Sequence, residues 1–298
     1  MLNAEVSVSQ TGACQAAYRT SAGLLVRRLG GVLGAEVEGL DLTRPMTAEQ
    51  GAELRLLLNE HKVLVFRDQA ITPRQQVDFA ANFGKVHMPL VNPSIDTVPG
   101  ITVIDSANAK GLTDEWHTDH TFTEVTPLAA MLHAVRIPSF GGDTLWADMC
   151  AAYDALSAPM REFLDGLAAQ HDTVRMKRRI AEKNKKFDYL MGEDAVIHPV
   201  VRVHPETGRK ALFVNPLYTA RILGLREDES NALLAFLYQH IQSVEFQFRL
   251  TWRQHTTVIW DERSTIHYAM ADYDEPRIMN RLMIEGTRPF GPRDRAAA

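Results

Sequence analysis

Trp116-His117-Thr118-Asp119-His120-Thr121-Phe122 is the stretch on which the reading of this chain turns. Successive side chains of an extended strand alternate between two faces. His117 and Asp119, separated by one residue, then point the same way and can meet one metal ion. Trp116 and Phe122 flank the pair and can wall it off from water. A His-x-Asp pair arises readily by chance, and a lone buried histidine is more often hydrogen-bonded core than ligand. His267 changes the weighing. It follows the apolar run Val258-Ile259-Trp260-Asp261 in a segment of small and polar residues, as expected of a ligand at the strand-to-loop edge of a barrel mouth. Two imidazoles and a carboxylate on one face of an octahedral ion leave three positions open, the arrangement of non-haem Fe(II) oxygenases.

Arg277 and Arg281 follow on a segment that reads as a strand. At positions i and i+4 both point to one face, the barrel interior. An arginine there is costly unless it meets an anion, and its guanidinium grips a carboxylate with two hydrogen bonds. The plainer reading pairs them with Asp272, Asp274 or Glu285 at the surface. Thr144, after the Gly141-Gly142 turn, can offer a hydroxyl to the same carboxylate; by itself it is an ordinary strand threonine. His120 faces away from Asp119 on an ideal strand, which leaves its backbone N–H to line a substrate pocket. His87, His133, His171, His198 and His204 have no competing ligand spacing and read as structural or surface residues. No catalytic residue beyond the metal ligands stands out. Nucleophile-elbow, phosphate-loop, dinucleotide and Cys-x-x-Cys motifs are absent.

Outward from the triplet, the chain reads as strand-rich. Leu24-Leu25-Val26, Val32 to Leu40, Val63 to Phe66, Ile101 to Ile104, Leu128 to Val135, Thr144 to Trp146, His198 to His204, Ala211 to Val214, Phe246 to Trp252, Thr256 to Trp260 and Ile278 to Gly286 are candidate strands. Thr47 with Gln50, and Thr72 with Pro73 and Gln75, mark two helix starts. Ala151 to Leu156, Met160 to Leu167 behind a Ser157 cap, and Glu227 to Gln242 supply the other helices. The expected architecture is mostly β with flanking helices, a double-sheet barrel with helices packed outside. Residues 1–22 read as a loose N-terminal tail and 23–298 as one domain. The charged stretch 173–195 shows no clear period and reads as a lid insert. Its basic run, Arg175 to Lys186, reads as a solvated segment rather than a binding arm.

Composition narrows the function classes. A net charge of −5 gives no basic surface for nucleic acid. No run of 18 apolar residues offers a membrane span, and no charged-then-apolar leader opens the chain. Two cysteines, Cys14 and Cys150, make no disulfide framework and suit a reducing, cytoplasmic setting; Cys150 reads as buried filler.

Together these blocks resemble the Fe(II)- and 2-oxoglutarate-dependent dioxygenases of the TauD/TfdA family. The matching stretches are Gly34-Ala35-Glu36-Val37, Gly39-Leu40-Asp41-Leu42, Val65-Phe66-Arg67-Asp68-Gln69, Phe83-Gly84, Trp116 to Asp119 with Thr121-Phe122, Pro138, Gly141 to Trp146, His198 to Val201, His204-Pro205, Trp260-Asp261, His267 and Arg277 to Arg281. The resemblance covers about residues 24 to 290. It implies a double-stranded β-helix (jelly-roll, cupin-like) fold. It implies Fe(II) on His117, Asp119 and His267, with 2-oxoglutarate and O2 as cosubstrates. The C5-carboxylate of 2-oxoglutarate falls to Thr144 and Arg277, and the anionic group of the substrate to Arg281. A homo-oligomer, dimer or tetramer, is also implied. Where taurine-handling members hold their substrate with a His, a Tyr and an Asn, this chain has Pro89, Asn92 and Thr113. Asn92, Thr113 and His120 therefore become the other expected substrate residues, and taurine itself is disfavoured. Sulfonates, alkyl sulfates and aryloxyalkanoates remain, with an amino-acid-like or natural-product intermediate as the alternative. The rivals of another class are a non-redox metal hydrolase, which would need a base beside the open metal face, and a ligand-binding barrel.

Overall fold

The computed structural model describes residues 16–88, 98–183 and 195–294. Among the described residues the first element is a strand: β1 (Ala17–Arg19) pairs antiparallel with β2 (Leu25–Arg28), which pairs with β3 (Ala35–Glu38). The loose tail expected over residues 1–22 is therefore corrected at its C-terminal end. Its order comes from distant groups: Tyr18 Oη meets His61 Nε2 at 2.8 Å, and Thr20 and Ser21 donate to the Glu53 carboxylate at 2.5 and 2.9 Å.

Helix α1 (Ala48–His61) starts as its sequence dictates, with Thr47 and Gln50 in a reciprocal capping box. It ends on Lys62 in the left-handed region, φ 63°. Next come β4 (Val63–Phe66), α2 (Pro73–Ala80), β5 (Thr102–Asp105), the single turn α3 (Ser106–Ala109), β6 (Ala129–Arg136) and β7 (Thr144–Asp148). Helices α4 (Met149–Asp154) and α5 (Ala158–Leu164) lead to β8 (Ala168–His171) and α6 (Val174–Glu182). Ser157 makes no side-chain cap to α5. Beyond lie β9 (Val196–Pro199), β10 (Val201–Val203), β11 (Lys210–Leu212), β12 (Thr219–Ile222), α7 (Glu227–Ile241), β13 (Gln247–Leu250), β14 (Thr257–Asp261), β15 (Thr265–Ala269) and β16 (Ile278–Ile284).

The strands form an eight-stranded sheet ordered β1-β2-β3-β4-β14-β6-β16-β5, two three-stranded sheets, β13-β7-β15 and β12-β8-β9, and the hairpin β10-β11. Strand β4 shows how the layers are built. Its four residues are all buried because the period of two serves both faces. Leu64 and Phe66 join Leu54, Leu57, Leu58 and Phe79 of α1 and α2. Val63 and Val65 join Trp146, Phe248 and Leu250 of the small sheet, where Trp146 meets Trp260 edge-on at 5.7 Å. A third cluster covers the far side of that sheet, with Ala147 and Ile266 against Leu234, Leu237 and Ile241 of α7. The expectation of sheets with flanking helices holds, and its mostly β weighting only in part: β8, β12 and β15 add strand, but α1 to α7 also claim a large share. The insert 173–195 is likewise not without period, since residues 174–182 form α6.

Lys62 ties the layers electrostatically. Its Nζ lies 3.1 Å from Asp148 Oδ2, both residues are buried, and Asp148 also caps α4 through Cys150 N at 2.8 Å. Lys62→Met leaves that carboxylate without its cation, and loss of about 3 kcal/mol of stability is expected in urea unfolding. Burial holds His133 and His198 down to about 4, so both stay neutral at pH 7 in the folded state. Between the ordinary histidine value and pH 4 the unfolded chain takes up their protons and the folded chain does not. Stability is expected to fall as pH drops through that window, by up to about 1.4 kcal/mol per pH unit for each group. Melting temperatures measured between pH 7 and pH 4 check this against variants that replace His133.

Candidate metal centre and its pocket

His117 and His267 are joined by their backbones before their rings meet. His117 N donates to His267 O at 2.9 Å and His267 N to His117 O at 2.8 Å, an isolated antiparallel bridge. The strand alternation expected for the triplet is thus corrected. Only His117 is bridged; Asp119 and His120 already lie in a turn, with His120 at φ 51°. The turn replaces the strand because Asp119 N is captured by Glu262 Oε2 at 2.9 Å and Thr118 Oγ1 donates to Thr265 O at 2.9 Å. The convergence survives by this other route. One ligand atom from each of His117, Asp119 and His267 lies within 4.8 Å of the others, all three residues are buried, and the imidazole centroids are 4.1 Å apart.

The protonation states suit a cation. His117 Nδ1 lies 2.8 Å from Glu115 O, a pure acceptor, so Nδ1 carries the hydrogen and Nε2 keeps its lone pair. Nε2 is 3.8 Å from Asp119 Oδ1. Burial first, then the neighbouring His117, pushes His267 well below the ordinary imidazole value. Burial alone would raise the Asp119 carboxyl, but Arg281, His267 and His117 outweigh it and hold it well below the carboxylate range. Two neutral imidazoles and one carboxylate are the deprotonated donor set that a divalent ion requires. His267 Nδ1 is buried without a hydrogen-bond partner.

The two arginines take different partners. Arg281 Nη2 reaches Asp119 Oδ2 at 2.5 Å, an ion pair without hydrogen-bond direction. Met279 and Met283 lie in the same apolar layer as Trp252 while Leu282 and Ile284 lie in the opposite one, so β16 keeps its alternation, and Arg281 shares its face with Arg277, which stands just before β16, as the i, i+4 spacing predicts. The Arg277 guanidinium lies 5.8 Å from the Trp252 ring, its Nε has no partner, and burial lowers its pKa. Trp252 Nε1 donates to Thr144 Oγ1 at 2.9 Å, which leaves the Thr144 hydroxyl proton free to donate onward beside Arg277. Gly142 permits the approach: at φ +68°, a Cβ there would sit 3.2 Å from Arg277 Cδ. The surface pairing with Asp272, Asp274 or Glu285 is not what is seen, since Lys110 takes Asp274 and Lys85 takes Glu285.

Of the expected substrate residues, Asn92 (with Pro89) lies outside the described residues. Thr113 lines a cleft of about 30 Å³ with Arg277, Ser106, Met270 and Tyr273, and so stands on the Arg277 side of the centre. His120 is buried, its ring 5.1 Å from Phe122 and 6.1 Å from His87. His87, read from sequence as structural or surface, packs edge-on against His120, its Nε2 buried and unpartnered. Phe122, Leu217, Tyr218 and Met176 form a small apolar cluster on the other side, with Tyr218 6.4 Å from His117. Cys150 is buried, as expected, and burial raises its thiol to about 12.

Glu262 is the residue that sequence reading missed. It is 1% exposed, its Oε1 accepts from Trp260 Nε1 at 2.7 Å, and its Oε2 holds Asp119 N. Burial and then Asp119 raise its pKa well above the carboxylate range. The one available signal was an acid next to the apolar strand end at Trp260-Asp261. Glu262→Ala orphans two buried donors at about 1–3 kcal/mol each. Thermal unfolding should show the loss, and Co(II) titration should show weaker metal binding.

A family model described as "Taurine catabolism dioxygenase TauD, TfdA family" matches residues 25–283. An alpha-ketoglutarate-dependent sulfate ester dioxygenase of Pseudomonas putida is 35% identical, over 89% of this chain and 91% of its own. The crystal structure of a taurine dioxygenase from Burkholderia xenovorans superposes with a TM-score of 0.79 at 35% identity, covering 91% of this chain and 93% of that one. The structure of AAD-2 in complex with Mn(II) and N-oxalylglycine superposes with a TM-score of 0.76 at 30% identity, covering 89% and 98%.

Proposed function

The chain belongs to the TauD, TfdA family of dioxygenases, and from that premise we propose that it hydroxylates a small anionic substrate with an apolar body, a sulfate ester or sulfonate. It is an Fe(II)- and 2-oxoglutarate-dependent dioxygenase. The observation that carries the residue assignment is the buried convergence of His117, Asp119 and His267 in metal-ready protonation states. In this reading the eight-stranded and β13-β7-β15 sheets are the two faces of the family's double-stranded β-helix.

His117, Asp119 and His267 would hold the iron. Fe(II) bound with 2-oxoglutarate and O2 supplies the oxidation: one oxygen atom enters the substrate as C–OH, the other enters succinate, and CO2 leaves. Arg277, unpaired at Nε and pressed on Trp252, and Thr144, oriented by the Trp252 indole, would hold the C5-carboxylate. Arg281 would exchange part of its hold on Asp119 for the substrate's anionic group, with the His120 N–H beside it. Phe122, Leu217, Tyr218 and Met176 would take the hydrocarbon and keep water out. The hydrolase rival lacks support, because both oxygens of the Glu262 carboxyl, a base candidate bonded to Asp119, are engaged by Trp260 and Asp119. The Cys14 and Cys150 thiols suit a cytoplasmic location, and the homo-oligomer is carried over from the family.

Anaerobic addition of Fe(II) and 2-oxoglutarate should give a weak visible charge-transfer band, and a screen of alkyl sulfates and sulfonates should give succinate. An alkyl sulfate hydroxylated at the carbon bearing the ester oxygen also releases inorganic sulfate. The absence of both band and succinate sinks the proposal. Arg281→Met should raise the substrate KM at least about 30-fold, as expected for removal of one partner of a desolvated charge pair, with the 2-oxoglutarate KM little changed. Arg277→Met should do the reverse.

A further inference from the structure

Helix α6 carries Arg175, Arg179 and, at its C-cap, Lys183 at four-residue spacing, and therefore along one face. That face lies on the loop just before His117. Arg175 Nη2 is 2.5 Å from Glu115 Oε1 and Arg179 Nη1 is 3.0 Å from Glu115 Oε2. Arg179 also pairs with Asp114 and donates to Leu112 O and Gly111 O, at 3.4 and 3.3 Å. Lys183 Nζ lies 3.2 Å from Asp114 Oδ1 and also binds Gly111 O. Single surface ion pairs contribute little. Here, however, one guanidinium serves two carboxylates and two carbonyls, and the side chains of Arg179 and Glu115 are only 20% and 14% exposed. The solvated segment expected for this basic run is thus corrected for its paired residues. The next face of the helix is apolar: Met176, 1% exposed, packs on Phe122 and Tyr218, with Ile180 beside them.

One residue connects both halves to the centre. The Glu115 side chain is clamped by α6 and its carbonyl accepts from His117 Nδ1. Outer partners of a metal-binding histidine fix its tautomer and ring orientation. We propose that α6 is an ionic latch on the metal-binding loop, with Arg179 a positioning residue that acts through Glu115 on His117 while Met176 closes the pocket wall. This rests on His117 being a metal ligand. Loss of the latch loosens metal binding and pocket closure together, and does so without touching the metal, either cosubstrate or the substrate.

The test uses the full chain, with Co(II) as probe (read by its visible absorption) and amide hydrogen exchange over residues 174–182. Arg179→Gln should weaken Co(II) binding about tenfold, the low end for loss of an outer partner of a ligand histidine, and should speed exchange of α6. Glu115→Gln should do likewise, and Arg179→Lys should recover part of both. Arg226→Gln, which breaks an exposed pair at the start of α7, should change neither. In the unmutated protein, raising NaCl to about 1 M, where the Debye length is roughly 3 Å, should speed α6 exchange; this arm decides the matter if Arg179→Gln does not fold. A chain that takes up no Co(II) overturns the metal reading and the positioning role with it. Co(II) binding with a folded Arg179→Gln of unchanged affinity, or with α6 exchange indifferent to both substitution and salt, overturns the latch alone.

Discussion

The two backbone hydrogen bonds between His117 and His267 are the constraint on which the centre depends. They join the loop 111–122 to β15, and β15 is paired with β7 along its whole length, His267 opposite Trp146. Trp146 in turn sits in the apolar layer between the small sheet and the large one. A single bridge therefore hangs a loop of irregular backbone on the best-packed part of the molecule. A ligand set needs sub-ångström placement, and loops do not provide it unless they are fastened in this way.

Around that bridge the chain satisfies polar groups in layers. Glu262 holds the Asp119 N–H, Glu115 O holds the His117 Nδ1–H, and Thr118 returns to Thr265 O. Each bond removes a conformational choice from a ligand or its neighbour. The electrostatics follow the same geometry. Burial drives the histidines neutral, while Arg281 keeps the Asp119 carboxylate ionised, so the donor set is ready for a cation at neutral pH. Beside it the rings run in series, His87 against His120, His120 against Phe122, and Phe122 against Tyr218.

Much of this was legible in the residues, and the failures are instructive. The helix starts at Thr47 and Thr72 read correctly because their signals, a capping partner three residues on and a proline at the first helical position, are local. The apolar run of β4 read correctly because a short strand buried on both faces has no polar alternation to hide. The triplet was assigned to a strand and lies on a bridge and a turn. Its turn is held by Glu262, far along the sequence, and no local pattern announces such a partner. Arg277 and Arg281 share one face, as their spacing predicts, but only the fold sets Trp252 beside the one and Asp119 beside the other. The basic run of α6 reads as solvated because its acidic partners, Asp114 and Glu115, lie on a loop sixty or more residues away.

Residue chemistry by itself determined which side chains can hold a cation and which can hold carboxylates, since imidazole, carboxylate and guanidinium carry those capacities wherever they stand. It also determined the elements whose signals are local, through caps, turn glycines and strand periodicity. Tertiary structure alone decided how His117, Asp119 and His267 converge, that Glu262 and Glu115 hold their neighbouring N–H groups, that Thr144 and Arg277 are joined through Trp252, and that α6 lies on the loop before His117. These are contacts between residues distant in sequence. They form only when hydrophobic layers bring the segments together, and buried polar groups must then find whatever partners that packing supplies.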